Sequence, residues 1–331
     1  MRNKKRKIDA VEIASRCEAS LLHLRQQADK APNAYGRLEL EKDSGKLRII
    51  HPPYPWLKET QYKLLDILKD AFLPAPKYMF GGIPGRSIKE YAQPHVGQRW
   101  LLALDIRSFF PSTSLARVEN TLCRRGFTQD AASLVGRLTT HESCLPQGAP
   151  TSPLLANVAF LPADEECLYL CQRSGQENLN YGRYVDDIAV SGQLDLRSMC
   201  QAFVDRIEST GYTVAPEKVK ATPEWERQVV TGLVVNNKLR PTKSFLQDLK
   251  DDIWFCLENG AAAYAVINGL SVGKAKQKIN GRVQHVERFD PDLGKKLRGR
   301  LNGIDWGGTE QEMEEAYALF LSCEDLTAAT N

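Results

Sequence analysis

Apolar residues recur at helical spacing in several stretches of the chain. Residues 8–31 place Ile8, Val11, Ile13, Leu21, Leu22 and Leu24 among charges, which predicts a helix. Residues 35–50 alternate in type around Asp43-Ser44-Gly45, the pattern of a β-hairpin, and Pro52, Pro53 and Pro55 end it. A helical period returns over 56–72, then a turn-rich PAPKYMFGGIPGRS. Leu101 to Ile106 is a short apolar strand reaching a carboxylate, and helices are predicted near 114–125, 129–139 and 152–173. Residues 179–192 read as two short strands joined at Val185 to Asp187. A helix near 195–210 leads into extended chain at 211–216, and 228–235 with Leu239-Arg240 reads as another hairpin. From 243 to 331 the period is almost wholly helical, so a lobe boundary is expected near 240 and an α+β body with a helical appendage.

Composition narrows the class. At 331 residues, 42% hydrophobic and 26% charged, the chain suits about two compact units with real cores and excludes global disorder. No apolar run approaches the roughly 18–20 residues of a membrane span. The basic start MRNKKRKIDA has no apolar stretch behind it, so a cytoplasmic protein is expected. Eight scattered cysteines include no C-x2-C pair, which argues against a zinc site or a disulfide framework; Cys167 and Cys171, one helical turn apart, lack a second pair. Net charge is only +3, but its distribution is uneven: nine basic residues lie between Val272 and Arg300 against three acidic ones. Such a stripe suits a phosphate backbone, although a solvated helix face reads the same way.

Two acidic sites stand out inside apolar sequence: Asp105 in LLALDIRSFF, and Asp186-Asp187 in YGRYVDDIAVSG. A carboxylate there costs several kcal/mol to desolvate unless a cation or strong donors compensate, and adjacent aspartates also repel each other. A single strand-end aspartate is often only a turn or cap residue. If the two segments are neighbours in one sheet, however, three carboxylates converge, and hard oxygen ligands with room for water and phosphate are what Mg2+ prefers. Two such ions would serve phosphoryl transfer, as nucleotidyl transfer or nucleic-acid hydrolysis.

Y-V-D-D at Tyr184 to Asp187, D-I-R-S-F-F at 105–110 and L-P-Q-G-A-P-T-S-P at 145–153, in that order and at those separations, resemble the reverse transcriptase family over about residues 35–305. Within it the chain is most similar to bacterial retron reverse transcriptases, by its compact length, its PQGAPTSP segment and V-T-G at Val230 to Gly232. The retron N-A-x-x-H signature appears as Tyr91-Ala92-Gln93-Pro94-His95, with tyrosine in place of asparagine. The resemblance implies an α+β right-hand polymerase with an antiparallel palm sheet: fingers at about 1–100 and 125–155, palm at about 101–124 and 156–240, and a helical thumb at about 241–331 that binds the duplex. It further implies that Asp105, Asp186 and Asp187 are catalytic and, with the Ile106 carbonyl, hold two Mg2+ ions.

Lys46, Arg48, Phe110, Gln147, Gly148 and Lys218 match nucleotide-binding positions, with Lys220 a weaker candidate than Lys218 for the leaving pyrophosphate. Phe110 would exclude a ribose 2′-hydroxyl. Arg86, Ser87, His95, Tyr184, Val230, Thr231, Gly232, Lys274, Lys278 and Arg282 fall at nucleic-acid-facing positions. Taken alone, each has a plainer reading as a turn, a hairpin, core packing or a solvated charge. The partners implied are a structured noncoding RNA serving as primer and template, its branched RNA–DNA product (msDNA), deoxynucleoside triphosphates and a separate effector protein, with a role in antiphage defence and no membrane. The rivals are a group II intron-like or diversity-generating reverse transcriptase, and a non-catalytic RNA-binding scaffold of the same fold.

Overall fold

The computed structural model describes residues 7–41, 47–175 and 179–307. The chain divides into two compact units, the first ending at Thr231 and the second beginning at Gly232. That boundary lies ahead of residue 240.

The first unit opens with α1 (Ala10–Arg16) and α2 (Leu21–Lys30). The single helix expected over 8–31 is two because Glu18 turns into the left-handed region at φ 55° and the Ser20 hydroxyl accepts the His23 N–H at 3.1 Å, capping a fresh N-terminus. The ribbon β1 (Leu38–Glu41) and β2 (Leu47–Ile50) is antiparallel, and the 42–46 bend lies outside the described residues. Next come α3 (Pro55–Phe72), β3 (Met79–Phe80), α4 (Ile88–Ala92), β4 (Trp100–Asp105), α5 (Leu115–Arg124), α6 (Gln129–Thr139), α7 (Ser152–Ala159) and α8 (Leu161–Arg173). The helix expected over 152–173 breaks at Phe160, where Pro162 in the first turn of α8 has no N–H to continue the ladder. The unit closes with β5 (Asn180–Tyr184), β6 (Asp187–Gly192), α9 (Cys200–Glu208), β7 (Lys220–Pro223) and β8 (Val229–Val230).

Five strands make the central sheet in the order β3-β5-β6-β4-β7. Every neighbouring pair is antiparallel except β3 with β5, which is parallel. Strand β7 is an addition to the expected elements: KATP is short and ends in proline, and it pairs on the edge, where a missing N–H is tolerated. The inward residues Leu102, Leu104, Ile188 and Val190 join Leu154, Leu155 and Phe160 from the helical layer in one continuous core.

The second unit holds β9 (Leu233–Val234) and β10 (Arg240–Pro241), an antiparallel pair, then α10 (Lys243–Ile267), α11 (Val272–Phe289) and α12 (Pro291–Leu301). Its core is separate. Ala275, Ile279, Val283 and Val286 form one stripe of α11 and pack with Leu249 and Ile253 of α10 and Leu297 and Leu301 of α12. Helix α10 is interrupted at Gly260, whose φ of 86° is open to glycine at little cost. Among the described residues no helix is long and apolar enough to cross a membrane.

Candidate active site

Strand β4 ends on Asp105, β6 begins on Asp187, and their antiparallel register sets the two directly opposite. Opposed residues in such a pair have Cα atoms about 4.5–5.5 Å apart. The next residue, Ile106, donates its N–H to the Asp186 carbonyl at 3.1 Å. Asp105 and the Asp186-Asp187 pair, distant in sequence, therefore meet at one end of two neighbouring interior strands of the sheet.

The β5–β6 turn is the two-residue Val185-Asp186, because Tyr184 pairs with Asp187. Val185 sits at φ 58°, a region that β-branched residues avoid, so the surroundings must hold it there. Arg183 does so from below: its Nη1 donates to the Val185 carbonyl at 2.9 Å and to Asn157 Oδ1 at 2.7 Å. Its Nε and Nη2 grip Asp164 at 2.8 and 2.7 Å. From the side, Gly81 leaves room, since a Cβ there would lie 2.6 Å from Val185 Cγ2.

Burial first, and then the neighbouring acids, push Asp186 above the ordinary aspartate range and Asp187 up to about 6. Burial and like charge thus disfavour both carboxylates as bare anions, and positive charge relieves them. Lys218 supplies some of it: its Nζ lies 2.5 Å from Asp105 Oδ2. Burial opposes the Lys218 charge, but the Asp105 bond and the attraction of Asp186 and Asp187 outweigh it and raise its pKa. Among the described residues no three acidic, histidine or cysteine side chains stand ready-spaced as a metal cage. The chemistry of the donors nevertheless fits a divalent ion of the magnesium type: all are oxygens, two are destabilised as bare anions, and Lys218, with 56% of its side chain exposed, can swing off Asp105.

Other expected residues lie on the ribbon and on the loops that follow β4 and α6. Arg48 on β2 is exposed, and its charge is felt at Asp186. Phe110 is half-buried, edge-on to the buried Phe109 at 5.7 Å. The Gln147 carbonyl accepts the His51 N–H at 2.7 Å. Gly148 has φ 111°, and a Cβ on it would meet Ile50 Cγ2 at 2.5 Å, so only glycine lets this loop lie against the ribbon. Lys220 pairs with Glu226 at 3.3 Å, which leaves Lys218 as the lysine facing the acids. Lys46 lies outside the described residues. In the second unit Lys274 and Lys278 are exposed on α11.

At five of the expected positions the side chains are engaged within the protein. Arg86 turns inward and donates to the carbonyls of Ala75, at 2.6 Å, Pro76 and Met79, so its charge organises the 75–86 loop. Ser87 is the N-cap of α4, in a reciprocal capping box with Glu90. His95 is buried, its Nδ1 bonded to Ser191 Oγ at 2.7 Å. Val230 is 3% exposed and faces the core. Arg282 is half-buried in an ion pair with Asp252. Tyr184 is half-buried, its ring 5.7 Å from that of Tyr91, Gly232 is exposed, and Thr231 points at Asp187. Two features went unnoticed in the sequence. The Arg183–Asp164 pair leaves only a weak trace, an arginine between Gly182 and Tyr184 in β5; the Tyr91 contact with Asp187 has no local signature.

Residues 40–235 match the family described as "Reverse transcriptase (RNA-dependent DNA polymerase)", and the chain belongs to that family. Retron enzymes are among its curated relatives. It is 30% identical to the retron Mx65 reverse transcriptase of Myxococcus xanthus over 80% of this chain and 64% of that one, and 27% identical to the retron Mx162 reverse transcriptase of the same organism over 80% and 60%. The retron Ec86 reverse transcriptase of Escherichia coli is 29% identical over 58% of this chain and 60% of the relative. The chain thus spans about three fifths of the length of these proteins. Among solved structures, a Candida albicans telomerase bound to a fragment of telomeric RNA aligns at a TM-score of 0.43 and 10% identity, covering 88% of this chain and 64% of that one, too loosely to argue from.

Proposed function

We propose that this chain is a retron-type RNA-directed DNA polymerase that copies a dedicated structured RNA into a branched RNA–DNA product. The observation that carries the reading is the register of β4 on β6, which sets Asp105 across from Asp187 and ties Ile106 to Asp186. Asp105, Asp186 and Asp187, with the Ile106 carbonyl, would hold two Mg2+ ions, which when bound acidify the primer hydroxyl and shield the triphosphate. The chain's own groups do the rest. In this reading Lys218 neutralises the departing pyrophosphate, Arg48 grips the triphosphate, Phe110 closes the space a ribose 2′-hydroxyl would need, and Gln147-Gly148 lie beneath the nucleotide. Lys274 and Lys278 present charge to a phosphate backbone. The retron likeness supports a noncoding RNA as primer and template, a separate effector protein, a part in antiphage defence and a cytoplasmic location.

The test is incorporation of labelled deoxynucleotides on primed RNA with Mg2+, beside sequencing of the nucleic acid that co-purifies. Incorporation together with one discrete structured RNA supports the reading. No incorporation by a folded chain refutes it.

A further inference from the structure

Asp187 is held at two points by groups outside the three sequence motifs. The Tyr91 hydroxyl donates to the Asp187 backbone carbonyl at 3.1 Å, and the Thr231 hydroxyl approaches Asp187 Oδ2 at 3.4 Å. The two hydroxyls thus meet one residue, Asp187, from its backbone and from its carboxylate. The fold meets real costs to assemble it. Tyr91 is 1% exposed, ringed by Phe80, His95 and Tyr184. Residue 182, in the middle of β5, is glycine, which leaves room for the ring: a Cβ there would stand 3.0 and 3.2 Å from the Tyr91 ring carbons and crowd them. Glycine inside a strand weakens it, and here the void it leaves is filled by the tyrosine. Thr231 sits at φ 45°, a region costly to a β-branched residue. Nothing in core packing requires a hydroxyl on either side chain.

We infer that Tyr91 and Thr231 are positioning residues that fix Asp187 from both ends, backbone and carboxylate, for the polymerase chemistry. The retron signature has asparagine where this chain has Tyr91; here a phenol on α4 reaches the Asp187 carbonyl, and Gly182 leaves room for its ring. Partners of this kind orient a ligating carboxylate, and their removal lowers metal affinity or activity by about 10- to 100-fold. The inference rests on the proposed function for its kinetic consequence, but its binding consequence stands alone.

The experiment compares the parent chain with Tyr91→Phe, which keeps the ring, and with Thr231→Val and Thr231→Ser, which respectively remove and restore the hydroxyl. Two quantities are read: Mn2+ affinity, from the electron paramagnetic resonance signal of free Mn2+, and kcat and KM for deoxynucleotide on primed RNA. The expected result is a loss of about 10-fold in Mn2+ affinity and in kcat for Tyr91→Phe and Thr231→Val, with KM for the nucleotide within about twofold and with Thr231→Ser near the parent. Should Tyr91→Phe fail to fold, the Thr231 pair gives the same answer. If the parent incorporates nothing while the variants still lose Mn2+ affinity, the polymerase reading fails and the positioning of Asp187 stands. Mn2+ affinity unchanged in both hydroxyl-deleting variants overturns the inference.

Discussion

Arg183 and Asp164, neither of them reached by solvent, form a two-pronged ion pair directly beneath the Val185-Asp186 turn. Asn157 and Tyr181 complete the bonding, the Tyr181 hydroxyl donating to Asp164 at 2.6 Å. Removing one partner strands a buried charge, at about 3–5 kcal/mol, whereas replacing both with apolar groups can be nearly neutral. Arg183→Met should therefore lower the thermal midpoint by about 10 °C, and Arg183→Met with Asp164→Leu should recover most of that loss. Primer extension should stay low in the double variant, because the Val185 carbonyl has still lost its donor. Full activity in the double variant would show that the pair matters only for stability.

Gly148→Ala puts a methyl 2.5 Å from Ile50 Cγ2 at a φ of 111°, so either the ribbon or the Gln147 loop must shift. A displacement of about 1 Å can cost up to 100-fold in catalysis. We expect kcat/KM for the nucleotide to fall at least about 10-fold, with the thermal midpoint changing little. Steady-state kinetics beside a melting curve separates the two effects.

Lys218 faces Asp105 and Lys220 faces Glu226, which makes the two lysines separable. Lys218→Ala should slow single-turnover incorporation by about 100-fold, with Lys218→Arg partly restoring it. Lys220→Ala, which removes an exposed ion pair, should stay within about twofold. Equal losses in both would detach the pyrophosphate role from Lys218.

Burial pushes His95 down to about 4 from the usual 6.5. Above pH 6.5 the ring is neutral in folded and unfolded chain alike. Between 6.5 and 4 the unfolded chain takes a proton that the folded one refuses, so the stability this group permits is full at neutral pH and falls as pH drops toward 4. The integrated loss is about 3 kcal/mol. Denaturant titrations at several pH values should show a shallower acid slope for His95→Gln than for the parent; parallel slopes would contradict this.

What could be read from the sequence was whatever chemistry leaves a local trace. Asp105 and Asp186-Asp187 announced themselves because acids within apolar sequence need a counter-charge, and β4, β5 and β6 fell at the short apolar run of 101–106 and the two short strands of 179–192. What escaped depends on partners far along the chain. Arg86 and Arg282 counted as free basic residues only because the carbonyls of residues 75–79 and the Asp252 carboxylate that consume their charge are invisible to local composition. Ser87 in PGRS is a capping box, legible three residues on in Glu90, and His95 keeps its place in the signature but faces Ser191 in the interior. The break between α1 and α2 shows the limit of periodicity: apolar spacing continues across it, while the left-handed Glu18 ends one helix and the Ser20 hydroxyl starts another.

The most direct test of the central claim is anomalous diffraction from crystals of the chain grown with primed RNA, a non-reacting deoxynucleotide and Mn2+. The account predicts a metal peak in contact with carboxylate oxygens of Asp105 and Asp186, with Lys218 displaced from Asp105. A peak bound away from all three aspartates, in crystals whose protein still extends a primer in solution, would contradict it.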